Sequence, residues 1–194
     1  MNPAFSFDNY VIKPQGLSLG GKYRVFDPQN NPVLYVEYKT KWSKPFTTYH
    51  VYADEKKQQE LLLIQDGDSQ ELGDYCDVTD IASGAKIGGI HADWKHWFED
   101  AWRIVNAAGG TVGLLREKSA GRGLLHELTD GAFPQIIFIM VDDQPVAELR
   151  QKSVLAGHHL LVDFSPDTTT KLDRRLGLAA AILVAVHQAT TDSV

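Results

Sequence analysis

The chain ends in an apolar run that lacks the regularly spaced polar positions of a surface helix. From Leu176 to Val186 every residue is apolar or glycine, and several are alanines, which favour helix. A helix that is hydrophobic on all sides lies in a core or a bilayer, and a bilayer needs about 20 such residues. The run therefore predicts a core helix over about 171–189. We expect Asp167 or a threonine of 168–170 as its N-cap, and His187 at its end, where a cation is favourable.

In the rest of the chain, short segments are either apolar or alternate apolar with polar residues, and Gly, Pro, Asn and Asp separate them. This is the pattern of strands joined by turns. The candidate strands are Tyr10–Leu17, Lys22–Asp27, Val33–Tyr38, Thr47–Ala53, Glu60–Gln65, Tyr75–Asp80, Lys86–His91, Trp102–Asn106, Val112–Glu117, Leu124–Leu128, Gln135–Val141, Pro145–Gln151 and His159–Phe164. Asp93–Asp100 is a second helical candidate, although its aromatic content argues against a helix.

Some of these segments repeat a scheme of strand, turn and strand, which predicts hairpins of a meandering antiparallel sheet. The turns open at Asp27, Asp80, Asn106 and Asp142, whose side chains can bond the backbone two residues on. The residues that tolerate a positive φ are Asn30, Gly84, and Gly109 or Gly110.

The two patterns together predict the architecture. A flat sheet would leave half of an all-apolar helix in water, whereas a sheet closed around the helix buries it and removes the sheet edges. We therefore expect a mainly β fold, an antiparallel closed β-barrel around a central buried C-terminal α-helix, in a single domain over 1–194.

Composition and charge narrow the function classes. The formal net charge is -6 and the pI is about 5.6, whereas nucleic-acid binders usually carry a basic surplus, so we expect no nucleic-acid partner. The single cysteine, Cys76, has acidic neighbours and is expected to be an inert strand thiol. One cysteine fits a reducing cytosol and also a secreted protein without disulfides, and an N-terminus without a signal-peptide pattern favours the cytoplasm.

Sequence motifs for catalysis and cofactor binding are missing. The chain has no Gly-x-Ser-x-Gly elbow, no P-loop and no dinucleotide fingerprint. His91, Asp93 and His96 do not have a zinc-site spacing, and the adjacent His158 and His159 would face opposite sides of a strand. We therefore expect no cofactor, no metal and no enzymatic activity. An enzyme of unknown type stays a third hypothesis, which would require a pocket with converging polar groups.

Several segments, in their order along nearly the whole chain, carry a family resemblance. They are Tyr10-Val-Ile-Lys, Lys22-Tyr-Arg-Val-Phe-Asp, Trp97-Phe-Glu-Asp-Ala-Trp-Arg-Ile-Val-Asn-Ala-Ala-Gly-Gly, Val162-Asp-Phe-Ser and Leu172-Asp-Arg-Arg-Leu-Gly-Leu-Ala-Ala-Ala-Ile. With them the chain resembles prokaryotic members of the LURP-one-related and phospholipid scramblase group, which shares the tubby C-terminal fold. The resemblance implies a barrel of about twelve strands around the helix.

The resemblance implies less about function, because one fold serves many functions. Tubby-type domains bind phosphoinositides, scramblases are linked to lipid movement and calcium, and plant relatives to defence. This chain departs from the scramblase pattern, since it has neither a cysteine-rich palmitoylation run nor an acidic loop with EF-hand spacing. The leading hypothesis is a non-enzymatic domain that binds an anionic ligand such as a phospholipid headgroup, at the periphery of a membrane.

Two basic clusters are the candidate ligand-binding residues. The first consists of Lys39, Lys41, Trp42 and Lys44, and the second of Arg116, Lys118 and Arg122 in a glycine-containing loop. The alternative for either cluster is a solvated strand edge, where lysines also block edge pairing.

An aromatic group is the candidate partner interface. It consists of Trp94, Trp97, Phe98 and Trp102. Exposed, these rings would contact lipid or a partner protein, which gives the second hypothesis of a protein-interaction module. Buried, they would close one end of the barrel.

Overall fold

A computed structural model describes residues 2–16, 21–40, 47–66, 74–92, 102–117, 136–154 and 157–191. The described strands are β1 (Asn9–Pro14), β2 (Lys22–Phe26), β3 (Pro32–Thr40), β4 (Thr47–Tyr52), β5 (Glu60–Asp66), β6 (Asp74–Asp80), β7 (Ala85–Ala92), β8 (Trp102–Asn106), β9 (Thr111–Glu117), β10 (Ile136–Val141), β11 (Gln144–Val154) and β12 (Gly157–Asp163). A 3₁₀ turn at Pro3–Phe5 precedes them, and the helix α1 (Arg174–Thr191) follows.

The strands form a closed antiparallel barrel in which each strand pairs with its sequence neighbours. The last strand pairs with the first, and Val11 of β1 lies opposite Leu161 of β12. The predicted mainly β barrel is confirmed, and each described strand overlaps a candidate from the sequence. The candidates Leu124–Leu128 and Asp93–Asp100 lie outside the described residues.

The helix α1 lies inside this barrel. It contacts both β7 and β12, which stand nearly opposite each other in the ring of strands. Every residue from Leu176 to Val186 is buried, and Ala179 to Ile182 are 0% exposed. The all-apolar run is therefore a core helix, as its composition predicts. Within the described residues, no helix combines the length and apolar character needed to cross a membrane.

The start of the helix differs from the prediction. Asp173 precedes α1, and its Oδ1 accepts a hydrogen bond from the Arg175 amide at 2.9 Å, so Asp173 is the N-cap. Asp167 instead accepts hydrogen bonds from the amides of Lys171 and Leu172. The predicted cap at Asp167 or 168–170 is wrong, because that carboxylate closes the turn before the helix.

The end of the helix also differs from the prediction. The helix continues to Thr191, so His187 lies within it. Burial lowers the pKa of His187 and favours its neutral form. The prediction of a cation that ends the helix is therefore wrong.

Side chains close three of the predicted hairpin turns. Asp27 accepts a hydrogen bond from the Asn31 amide at 2.8 Å, and Asp80 accepts one from the Ser83 amide at 3.1 Å. Asn106 accepts hydrogen bonds from the amides of the turn that follows it. The positive φ angles at Asn30, Gly84 and Gly109 are 62°, 66° and 84°.

The turn at Asp142 is built differently. Asp142 and Asp143 have φ angles of 50° and 57°, as in a two-residue type I′ turn. The Asp142 carboxylate accepts a hydrogen bond from Lys171 Nζ at 3.0 Å instead of closing its own turn.

Candidate anion-binding site

The two basic clusters predicted from the sequence do not meet in the described part of the barrel. Lys39 lies in β3 and Arg116 in β9, and these strands stand on opposite sides of the ring. Arg116 Nη1 is 3.4 Å from Asp143 Oδ1, an exposed ion pair of small energetic value. The other predicted ligand-binding residues, which lie outside the described residues, are Lys41, Trp42, Lys44, Lys118 and Arg122.

The aromatic group is described only at Trp102. This tryptophan is 3% exposed, and its ring centroid lies 6.4 Å from that of His187 in α1. Trp102 is therefore a core residue and does not belong to an exposed interface. Trp94, Trp97 and Phe98 lie outside the described residues.

Of the metal candidates His91, Asp93 and His96, the structure describes His91, and it also describes Cys76. Among the residues that the structure describes, no group of three or more His, Cys, Asp or Glu side chains is arranged to hold a metal ion. His91 Nδ1 lies 2.8 Å from Arg103 Nη2, while Asp93 and His96 lie outside the described residues. Cys76 is a half-buried thiol in β6, so its placement in a strand is confirmed.

Pairing between strands assembles a group of basic residues that are distant in sequence. Lys152 of β11 is the direct partner of His159 of β12, and Lys13 of β1 is the direct partner of Arg24 of β2. The register between β1 and β12 pairs Ile12 with the residue after His159, which places Lys13 next to His159. We call Lys152, His159, Lys13 and Arg24 the basic row.

The basic row faces away from the helix. Ile12 and Leu160, which neighbour Lys13 and His159 in their strands, are 1% and 2% exposed and belong to the core. Successive side chains of a strand point to opposite faces, so the basic residues point outward. Direct partners on antiparallel strands have Cβ atoms about 5 Å apart, and like charges at that spacing repel.

The cations of the row are only partly compensated. Lys13 Nζ donates a hydrogen bond to Asn30 Oδ1 at 2.8 Å and lies 4.0 Å above the centre of the Phe26 ring. Arg24 forms an ion pair with Glu55. Among the described residues, no hydrogen bond or ion pair engages Lys152. The row therefore has more cations than carboxylate partners.

His159 lies between two ammonium groups. Burial, followed by the charges of Lys13 and Lys152, lowers the pKa of its imidazole. The neutral imidazole keeps a further positive charge out of the row.

A row of apolar residues runs beside the basic row on the same outer surface. Leu161 of β12 pairs with Val11 of β1, and Val11 pairs with Phe26 of β2. All three are half-buried, and we call them the apolar row. Beyond it, Glu148 pairs with Asp163. An open cavity of about 270 Å³ lies over this part of the wall.

A second outward group of charges, on β6 and β7, is neutralised internally. Lys86 Nζ lies 2.5 Å from Asp77 Oδ1 and 5.2 Å from the centre of the Tyr75 ring. Hydrogen bonds to Asp77 and Tyr75 raise the pKa of Lys86. We call these three residues the paired cluster, and its cation already has a carboxylate partner.

The basic row is the functional candidate that the sequence does not predict. Its members lie near the two ends of the chain, and only the pairing of β12 with β1 brings them together. The comparisons with known proteins add no further candidate, because no family model matches the chain and no curated protein is significantly similar to it.

Proposed function

We propose that the barrel binds an anionic ligand at the basic row and that this ligand is an acidic phospholipid headgroup. The proposal is carried by one observation. Lys152, Lys13 and Arg24 are spaced by neighbouring strands around His159, and the carboxylate of Glu55 forms an ion pair with Arg24. A bound phosphate between the lysines would replace their mutual repulsion with attraction.

The apolar row supports a lipid as the source of the anion. Leu161, Val11 and Phe26 lie directly beside the cations, so a ligand with both a phosphate and an apolar portion contacts both rows. The stems of lysine and arginine also pack against apolar surface while their charges reach the headgroup level. The resemblance to the scramblase and tubby-type group, which is linked to lipids, agrees with this choice.

A protein-interaction module receives no comparable support from the described residues. Among the large hydrophobic residues of the described part, Ile81 is the exposed one, at 37%. A partner interface usually has a contiguous apolar patch, and in the described part the half-buried apolar row, which lies beside cations, is the apolar patch that accompanies this side chain. The barrel in its described part shows no motif for catalysis either, and we propose a non-enzymatic role.

Vesicle co-sedimentation tests the proposed function. We expect the protein to bind phosphatidylcholine vesicles that contain phosphatidylglycerol at low ionic strength, and binding should weaken with added salt. A double variant with Lys13→Gln and Lys152→Gln removes two charges. Since each cation near an anionic surface contributes about 1 kcal/mol, its affinity should fall about thirtyfold.

The matched control changes the same number of charges elsewhere. Lys86→Gln with Lys171→Gln removes two lysines that are paired with Asp77 and Asp142. This control should bind nearly as well as the wild type. Equal losses in the two double variants, or no binding of the wild type at low salt, would disprove the proposal.

A further inference from the structure

The member of the basic row with the least direct role in attracting an anion is His159, because its neutral form is favoured. Its position is nevertheless central. It has Lys152 as its direct partner on one side and Lys13 next to it on the other. Among the described residues, His159 makes no hydrogen bond or ion pair, so its ring is not committed to a partner.

We propose that the anion at the basic row is bound together with one proton, which His159 takes up, so that the site holds its ligand more tightly as the pH falls. This inference rests on the proposed function and adds its regulation. The proton comes from solvent and is bound by a ring nitrogen of the neutral imidazole, and no other bond forms or breaks. The anion then meets an imidazolium between two ammonium groups.

The groups around His159 on each packed strand are basic or apolar at short range. On β11 they are Lys152 and, farther along, Arg150, which forms an ion pair with Glu148, and on β1 they are Lys13 and Val11. The nearest outward residue on β12 itself is Leu161.

The outward carboxylate on the same strand is too far away to replace an anion. Asp163 lies four residues beyond His159, which is about 13 Å along a strand and more than a Debye length at physiological salt. Its carboxylate also accepts a hydrogen bond from the Ser165 amide at 2.8 Å. Positive potential therefore dominates at the imidazole until a ligand arrives.

The direction of the pH dependence follows from that arrangement. In the free protein, burial and the two lysines oppose protonation of His159, and a bound anion reverses the sign of the local potential. The bound state therefore holds more protons than the free state over part of the range in which histidine titrates. Since one proton is involved, the dissociation constant changes by at most about tenfold per pH unit.

A phosphodiester is the suitable probe, because its single charge does not change between about pH 5 and 8, where histidine titrates. Two arms distinguish the source of the anion. One uses vesicles of phosphatidylcholine and phosphatidylglycerol, and the other uses glycerophosphoglycerol, the same headgroup without acyl chains. If both arms bind with the same pH slope, the phosphodiester alone is recognised. If only the vesicles bind with that slope, the linkage is supported with lipid as the source.

The experiment measures the dissociation constant against pH for the whole protein at constant ionic strength. The wild type should bind more tightly at each lower pH, with a slope of up to tenfold per unit, and His159→Gln should lose most of that slope. His50→Gln is the matched control, because the ring of His50 lies on β4 with Nδ1 2.7 Å from Glu60 Oε1. This control should keep the wild-type slope.

An NMR titration of the His159 ring gives an independent readout, and the pKa of the imidazole should rise when the probe is added. Binding that does not vary with pH, or a His159→Gln variant that keeps the wild-type slope, would overturn the linkage and leave the proposed function intact. If neither probe binds at any pH, both fail.

Discussion

The inner and outer faces of the same four strands, β11, β12, β1 and β2, have opposite chemistry. Inward, Leu149, Leu160, Ile12 and Val25 are between 0% and 2% exposed. The outward residues that alternate with these along the strands belong to the basic row and the apolar row. Burial against the helix determines the inner face, whereas folding alone does not explain the outer face, because adjacent like charges oppose it.

This difference separates stability from binding. A substitution on the inner face or in the helix should change the free energy of unfolding strongly. A substitution in the basic row should change it weakly while altering the affinity for an anion. Substitutions on each face test this separation.

Leu183→Lys should prevent folding. Leu183 is 4% exposed in the middle of the helix, so the new ammonium group would enter the apolar interior of the barrel. An unpaired buried charge costs several kcal/mol, comparable to the whole stability of a domain at about 5–15 kcal/mol. Circular dichroism and size-exclusion chromatography measure the outcome. Leu183→Met is the control and should fold, and a folded, soluble Leu183→Lys protein would contradict the central helix.

Gly177→Ala should destabilise the protein although alanine is the better helix former. A Cβ at Gly177 would lie 2.6 Å from Cε1 of Phe164, whose ring also packs against the Arg174 guanidinium at 4.3 Å. Overpacking of this kind costs about 1–3 kcal/mol, which exceeds the gain of about 1 kcal/mol in helix propensity. Chemical denaturation measures the difference.

Phe164→Leu provides the matched test for that contact. Since the smaller side chain removes the obstructing ring atoms, Gly177→Ala should cost much less in the Phe164→Leu background, and the two changes should be non-additive. If Gly177→Ala raises the stability of the wild type, the close packing of Phe164 on the helix is refuted.

Sequence patterns predict the inner face well because it depends on local alternation. The apolar run of the helix and the two-residue period of the strands are each visible within a few residues, and burial enforces both. The helix start was harder to predict, since Asp167 and Asp173 are equally plausible caps by residue type. Only the hydrogen bonds distinguish them, because Asp173 Oδ1 meets the Arg175 amide while Asp167 closes a turn.

The outer face is less predictable because it depends on register between distant strands. Lys13 and His159 become neighbours only when β12 pairs with β1, and no local pattern indicates that closure. A signal existed in the sequence, since Lys13 and Arg24 lie in consecutive candidate strands. Its meaning requires the pairing with β12 that adds His159 and Lys152.

Lys152→Gln should raise the stability of the free protein slightly, by about a few tenths of a kcal/mol at low salt, because it removes the repulsion between Lys152 and Lys13, which lie on either side of His159. Asp77→Asn in the paired cluster is the matched neutralisation, and it should lower stability by a similar amount, since it leaves Lys86 without its carboxylate. Thermal denaturation at low and high salt measures both changes, and screening should shrink both.

The effects of Lys152→Gln and Asp77→Asn on stability should also differ in their dependence on pH. The lowered pKa of His159 means that the unfolded state binds its proton first as the pH falls. His159 therefore contributes a loss of stability that begins near the usual histidine pKa and is complete below the lowered one. Removing the Lys152 charge reduces the cost of protonating the ring, so the stabilising effect of Lys152→Gln should grow as the pH falls through that range. The effect of Asp77→Asn should not follow this titration, because His159 faces the basic row and not the paired cluster. If the stability of both variants responds equally to pH, the charge of Lys152 does not act on His159 in the way that the strand register implies.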